Sequence, residues 1–239
     1  MFLKSVFSII LCFCLFCLKA QIADKTTYLN EVKQEMQKTW PANRTINLVF
    51  HGHSVPAGYF DTPDVNTLKA YPYLTLQMIK ERYSYAVVNS ITTAIGGETS
   101  ERGCARFINE VMVHRPDVLF IDYALNDTGL GLERTREYWE TMIREALKQQ
   151  VKVILLTPTP DQRVNILDSQ TSLEKHAQQI RELAAKYHVG LVDSYAAFKQ
   201  IKQNGEDLTT YMSHVNHPNE KGHRVVCSMI AEWLLNYSK

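Results

Sequence analysis

From Ile46 onward, short apolar runs alternate with longer stretches in which apolar residues recur every three or four positions. INLVFHG (Ile46–Gly52), YAVVNSITT (Tyr85–Thr93), DVLFIDYAL (Asp117–Leu125), VKVILLTPTP (Val151–Pro160) and VGLVDSY (Val189–Tyr195) read as strands. Their near-continuous β-branched and aromatic content suits a sheet buried on both faces. Helical periodicity fills residues 67–83, 98–115, 133–150 and 172–188, although Pro72 falls early in the first of these. A closing helix is expected from about Asn219 to Tyr237. A polar, helical lead (Asp24–Trp40) precedes Pro41. Strands separated by helices predict a three-layer α/β/α sandwich, doubly wound, with about five parallel strands.

The first twenty residues depart from this pattern. MFLKSVFSIILCFCLFCLKA has an early lysine and an unbroken apolar run from Ser5 to Leu18. A run of roughly 14 residues is short for a bilayer span and fits the apolar region of a signal peptide. We expect residues 1–20 to be a signal peptide cleaved after Ala20; the alternative is a retained N-terminal anchor. Cys12, Cys14 and Cys17 lie in the leader without a convincing lipidation motif. The remainder, 21–239, is expected to be a single domain, since a chain of 239 residues with 45% apolar content can bury one sizeable core.

Charge excludes little but points away from nucleic acid. The full chain carries +1, and loss of Lys4 and Lys19 brings the mature part to −1. Cys104 and Cys227 remain after cleavage, and they are expected to be free thiols rather than a disulfide. The expected location is secreted or periplasmic, with no stable membrane insertion once the leader is removed.

In doubly wound sheets, function collects beyond the carboxyl ends of the strands. The first strand runs into Gly52-His53-Ser54, the second into Gly96-Gly97-Glu98-Thr99, and the third into Asn126-Asp127, while His214 and His217 precede the closing helix. A serine hydroxyl becomes a nucleophile when a neighbouring base takes its proton. Ser54 lies on a tight turn after a strand, and His217 is the best-placed base. The Gly97 N–H and the Asn126 amide are the kinds of donor that stabilise an oxyanion, where one donor typically contributes about 3–4 kcal/mol.

These blocks resemble those of the SGNH hydrolases, the GDSL-type esterases and lipases. Gly52-His53-Ser54 is similar to the family's Gly-Asp-Ser, and NSITTAIGGETS to its Asn-rich strand leading to Gly-Asp/Glu-Thr. Ala124-Leu125-Asn126-Asp127 is similar to Gly-x-Asn-Asp, and the run His214–Asn219 to Asp-x-x-His-Pro-Asn. The resemblance covers the chain from about Ile46 to the C-terminus and implies a flavodoxin-like fold. It also implies Ser54 as nucleophile, His217 as general base, and Ser54 N–H, Gly97 N–H and Asn126 as the oxyanion hole. An acyl-serine intermediate and no metal or organic cofactor follow from it.

Three positions depart from the family pattern. His53 replaces the aspartate beside the serine, Ala124 replaces a glycine, and His214 stands where the triad acid belongs. In a serine protease, replacing the acid by an amide costs roughly 10⁴ in turnover through tautomer loss. Either a backbone carbonyl or another carboxylate, such as Asp207, is then required to orient His217. The expectation is a Ser–His dyad or a non-standard triad, with His53, His214 and Asp127 as possible supporting residues. Asp127 is expected mainly to fix its loop, and His51 to be a satisfied core histidine. His114, His176 and His188 are expected on the surface, and His223 to pack or cap.

Two rival readings follow from the histidines. His51-x-His53 and His214-x-x-His217 have chelating spacing, so a His-ligated metal hydrolase is one alternative. A catalytically inactive carbohydrate-binding protein is the other. The chain has no long apolar lid, and exported single-domain enzymes of this family resemble short-chain esterases that deacetylate carbohydrates. The expected partner is therefore a small-molecule or carbohydrate ester, with Tyr59, Phe60, Glu98 and Tyr123 lining a small pocket. Asn43, Asn126 and Asn236 lie in glycosylation sequons, and a glycan on Asn126 would block the proposed hole, which points to a bacterial protein.

Overall fold

The computed structural model describes residues 21–235, so the expected leader, Asn236 and the end of the closing helix lie outside the described residues. Five strands, β1 (Thr45–Gly52), β2 (Val87–Thr92), β3 (Val118–Asp122), β4 (Lys152–Leu156) and β5 (Gly190–Val192), form one parallel sheet in the order β2-β1-β3-β4-β5. The helices are α1 (Asn30–Met36), α2 (Ser54–Ala57), α3 (Tyr71–Arg82), α4 (Ser100–Arg106), α5 (Ala124–Asp127), α6 (Leu132–Lys148), α7 (Ser172–Tyr187), α8 (Ser194–Gln203) and α9 (Glu220–Leu234). The fold is the expected three-layer α/β/α sandwich.

Alternation along the strands assigns the layers. Leu48 and Phe50 of β1, Val118 and Phe120 of β3, and Ile154 and Leu156 of β4 face a core completed by α1, α3, α8 and α9. Val49, Leu119, Ile121, Val153 and Leu155 face the opposite core, completed by α4, α6 and α7. Successive strand residues point to opposite faces, so a strand covered on both sides must be apolar at nearly every position. On α6, Thr135, Trp139, Met142, Ile143 and Ala146 are buried, a spacing of three and four that turns one stripe to the sheet.

Several expected boundaries shift for local reasons. The third predicted strand stops at Asp122, and Ala124–Asp127 turns into the short α5. The second predicted helix is α-helical only to Arg106, with a π-helical turn and a 3₁₀ turn following to His114. Pro72 sits in the first turn of α3, where its missing N–H costs no helical bond. The helix α8 was not expected: Asp193 ends the fifth strand and caps α8, its Oδ1 accepting from Ala196 N–H at 3.2 Å. Cys104 and Cys227 are free thiols, as expected. Among the described residues no helix is long and apolar enough to cross a membrane.

At the end of β1 the sheet is as tight as backbone allows. A Cβ on Gly52 would lie 2.4 Å from the Asp122 carbonyl oxygen of β3 and 2.9 Å from the Pro56 ring. Glycine at 52 therefore lets α2 start directly against the neighbouring strand. Gly52→Ala is expected to destabilise the fold by about 2–4 kcal/mol, because the obstructing atom is main chain and cannot rotate away. A urea midpoint equal to that of the wild type would contradict this account.

Candidate active site

β1 leads through His53, whose extended backbone (φ −107°, ψ −150°) begins α2, and Ser54 is the first residue of that helix. Ser54 Oγ lies 2.9 Å from His217 Nε2, across 163 residues of sequence. His217 Nδ1 lies 2.9 Å from the Phe60 carbonyl oxygen. A carbonyl can only accept, so Nδ1 carries the proton and Nε2 accepts from the serine hydroxyl. The Phe60 carbonyl is itself fixed in a turn, with Tyr59 N–H donating to Ser54 O and Phe60 N–H donating to Asp64 O, both at 3.0 Å.

The loop that delivers His217 is equally constrained. Ser213 N–H donates to His217 O at 2.9 Å, and Asn219 Oδ1 accepts from Gly222 N–H at 3.1 Å to cap α9. Met212 and Pro218 bridge as a short antiparallel pair. Tight closure places the imidazole while leaving His214 and Val215 exposed.

Neither side chain considered as a third triad member hydrogen-bonds to His217. His214 is exposed, its ring centroid 5.9 Å from that of His217, and only its backbone joins the loop's hydrogen bonds. Asp207 caps a 3₁₀ turn, its oxygens accepting from Thr209 N–H and Thr209 Oγ1–H. His53 is buried, and its Nδ1 accepts from Val55 N–H at 3.2 Å.

The other candidate donors follow the two strands that flank β1. Gly97 has φ +73°, a region only glycine enters without strain, at the turn beyond β2. Its N–H donates to no acceptor among the described residues. Asn126, in the short α5 beyond β3, donates one Nδ2 hydrogen to the Glu98 carbonyl oxygen at 3.0 Å, leaving its second hydrogen free. The topology thus sets Ser54, Gly97 and Asn126 beyond the carboxyl ends of three adjacent strands.

Glu98 and Tyr123 do not line a pocket; both are buried, which corrects the sequence expectation. The Glu98 carboxylate accepts from Arg106 Nε at 2.8 Å and from the Tyr123 hydroxyl at 2.6 Å. His51 completes the group, its Nε2 3.1 Å from the Tyr123 hydroxyl and 3.3 Å from Gly103 O. His51 is a satisfied core histidine, as expected. Phe60 also turns inward and stacks on His223 with centroids 5.3 Å apart. Of the four expected pocket residues, only Tyr59 remains part-exposed at the surface of the site. Its ring sits against Gly96, where an added Cβ would lie 2.9 Å from Cζ, and its centroid is 6.3 Å from that of His217.

Asp127 serves the framework. Its Oδ1 accepts from Ser100 N–H at 2.8 Å and its Oδ2 from Trp139 Nε1–H at 2.9 Å, tying α4 and α6 to α5. His223 packs and caps, its Nδ1 accepting from Tyr71 N–H at 3.2 Å. His114 and His188 are exposed as expected, but His176 is buried, with Nδ1–H donating to Ser172 O at 2.8 Å. Its position on the inner stripe of α7 puts it there. The chelating spacings do not assemble: among the described residues no three His, Cys, Asp or Glu side chains are grouped to hold a metal. The His51 ring is engaged with Thr93, Gly103 and Tyr123, whereas His53 is turned towards Asp122.

Burial holds the His217 imidazole below its ordinary 6.5; the Phe60 carbonyl acts in the opposite direction, and the charges of His53 and His214 reinforce the lowering. His51 is pushed down to about 3, first by burial and then by the Arg106 charge, and His223 to about 3 by burial and the His217 charge.

Comparisons with known proteins bear on the family and the fold. The model of the GDSL-like Lipase/Acylhydrolase family matches residues 50–225. A two-domain esterase (CEX) active on acetylated mannans is similar in structure, with TM-score 0.72 and 21% identity, covering 90% of this chain and 54% of that one. A catalytic mutant of Axe2, an acetylxylan esterase from Geobacillus stearothermophilus, gives TM-score 0.69 and 17% identity over 79% of this chain and 94% of its own. At these identities the likeness is one of fold. The chain is also 31% identical over 100 residues to a Bacillus subtilis (strain 168) protein described as the uncharacterized lipoprotein YqeF. That match covers 38% of this chain and 40% of YqeF, so the chain spans well under two thirds of that relative, as of the two-domain esterase.

A base must be neutral to accept the serine proton. With the His217 imidazole lowered from 6.5, any ester hydrolysis that uses His217 as base is expected to hold from about pH 8 down to about pH 6.5 and to fall only in more acidic solution. A kcat/KM profile on a neutral ester checks this, and an inflection above 6.5 would contradict it.

Proposed function

The chain belongs to the GDSL-like Lipase/Acylhydrolase family, and from that premise we propose that it is a serine-type hydrolase of carboxylic esters that removes short acyl groups, acetyl foremost, from carbohydrates. The observation that carries the reading is the 2.9 Å contact from Ser54 Oγ to His217 Nε2, with Nδ1 bound to a carbonyl that admits one tautomer.

In this mechanism His217 takes the Ser54 proton as Oγ attacks the ester carbonyl carbon. Negative charge develops on the carbonyl oxygen, where the N–H groups of Ser54 and Gly97 and the free Nδ2 hydrogen of Asn126 receive it. His217 then gives the proton to the departing alcohol oxygen, leaving an acyl-serine. Water attacks that ester with His217 again as base, releasing the acid and restoring Ser54. The Phe60 carbonyl holds the tautomer, the main service of a triad acid, but supplies a dipole in place of a full negative charge to the imidazolium. The enzyme is accordingly a Ser–His dyad with a main-chain acceptor.

The acyl and alcohol preferences rest on the surroundings. The Tyr59 ring lies against the Gly96 turn with its centroid 6.3 Å from that of His217, and an aromatic wall beside the base suits a small acyl group. Carbohydrate as the alcohol partner is supported by the fold neighbours, one an acetylxylan esterase and another a mannan-active esterase co-crystallized with mannopentaose. The apolar leader and the likeness to a lipoprotein support a bacterial protein acting outside the cytoplasm.

On p-nitrophenyl esters from acetate to laurate, acetate is expected to be cleaved best, and Ser54→Ala to lower kcat by at least about 10⁴-fold. Chelator should change neither rate, and an organophosphonate should label Ser54. Tyr59→Ala should shift the preference towards longer chains by about tenfold or more, the scale of a reshaped apolar pocket. Preference for laurate in the wild type, or full activity in Ser54→Ala, would overturn the reading.

A further inference from the structure

His53 stands where the resemblance leads one to expect an aspartate, and it is almost fully buried beside the nucleophile. Because Val55 N–H donates to its Nδ1, the ring's proton must reside on Nε2. His53 Nε2 lies 3.4 Å from Asp122 Oδ1, on the last residue of β3, an electrostatic contact that is not aligned as a hydrogen bond. Both atoms are buried and neither has a hydrogen-bond partner among the described residues, so each is the other's nearest recorded opposite. The second Asp122 oxygen accepts from the buried Tyr71 hydroxyl at 3.0 Å. Each atom of the His53–Asp122 contact therefore depends on the other, since a buried polar group left unmatched costs about 1–3 kcal/mol.

We propose that His53 is a positioning residue for the nucleophile, held in its Nε2–H tautomer by Asp122, so that a carboxylate steers Ser54 through the turn that carries it rather than steering His217. The proposal rests on the serine esterase reading. α2 has only four residues, too few to hold its own geometry by helical bonds, and its first turn depends on the cap. The imidazole Nδ1 supplies the acceptor that an N-cap side chain normally provides as oxygen. Asp122 excludes the alternative tautomer, in which Nδ1–H would confront Val55 N–H and push the turn open. The pair is also complementary in kind: an aspartate at 53 would place a second carboxylate against Asp122 in a site without water access, so histidine here and aspartate on β3 belong together.

The test pairs a direct readout with rescue. In wild-type protein, ¹⁵N–¹H long-range correlation spectra of the histidine rings should show His53 as the Nε2–H tautomer at neutral pH. His53→Leu, which cannot accept from Val55 N–H, should lower kcat on p-nitrophenyl acetate by about 100-fold while KM stays within about threefold. His53→Asn, whose amide oxygen can accept that N–H, should recover to within about tenfold of wild type. Asp122→Asn should lose about tenfold in kcat and shift His53 towards a mixture of tautomers. An Nδ1–H tautomer in the wild type, or equal kcat in the Leu and Asn variants at equal melting temperature, overturns the proposal. Full activity in Ser54→Ala instead brings down the esterase reading and this proposal with it, a result the tautomer measurement does not depend on.

Discussion

The hydrogen bond from His217 Nδ1–H to the Phe60 carbonyl is the constraint on which the site depends. It links a loop near the C-terminus to a turn close behind the serine. It also leaves Nε2 as the acceptor that faces Ser54 Oγ. Both ends are fixed by further main-chain bonds: Phe60 by Asp64 and the Tyr59–Ser54 closure, His217 by Ser213 and the Asn219 cap. Without it the ring would turn freely, and the short contact to the serine would be one orientation among several.

The sheet supplies the second constraint. β1 lies between β2 and β3, so the segments leaving the three strands are neighbours by topology rather than by long excursions of loop. Beneath them, Glu98, Arg106, Tyr123 and His51 form a buried polar platform, and Asn126 is hung from the Glu98 carbonyl above it. Such a network is expensive to bury unless every member is matched, and a matched one is rigid. A rigid floor is what preorganised donors require.

Much of this was legible in the sequence. The strand–helix alternation gave the layers because strands buried on both faces must be apolar throughout. Ser54, His217, Gly97 and Asn126 stood out because their side chains or special backbone are of types that chemistry at strand ends needs. The Phe60 carbonyl did not stand out, since a main-chain acceptor looks the same at every residue. Glu98 and Tyr123 looked like pocket residues because they adjoin the motifs, yet side-chain direction at a strand end cannot be read from adjacency. His176 was misplaced because histidine is polar on average, while α7 turns that position inward. The helix α8 escaped notice because it follows β5 with only Asp193 between them, and its few buried residues give a faint period. The His53–Asp122 contact joins the cap of α2 to the last residue of β3 and could be found only in three dimensions.

Reliance on a peptide oxygen has an evolutionary corollary. A carboxylate partner can be lost by a single codon change, whereas a main-chain oxygen survives any replacement at residue 60 that keeps the turn. Position 214 makes no side-chain hydrogen bond to His217, and the exposed His214 leaves room there for other residue types. Chains built this way can tolerate diversification around the catalytic loop that an acid-dependent relative could not survive.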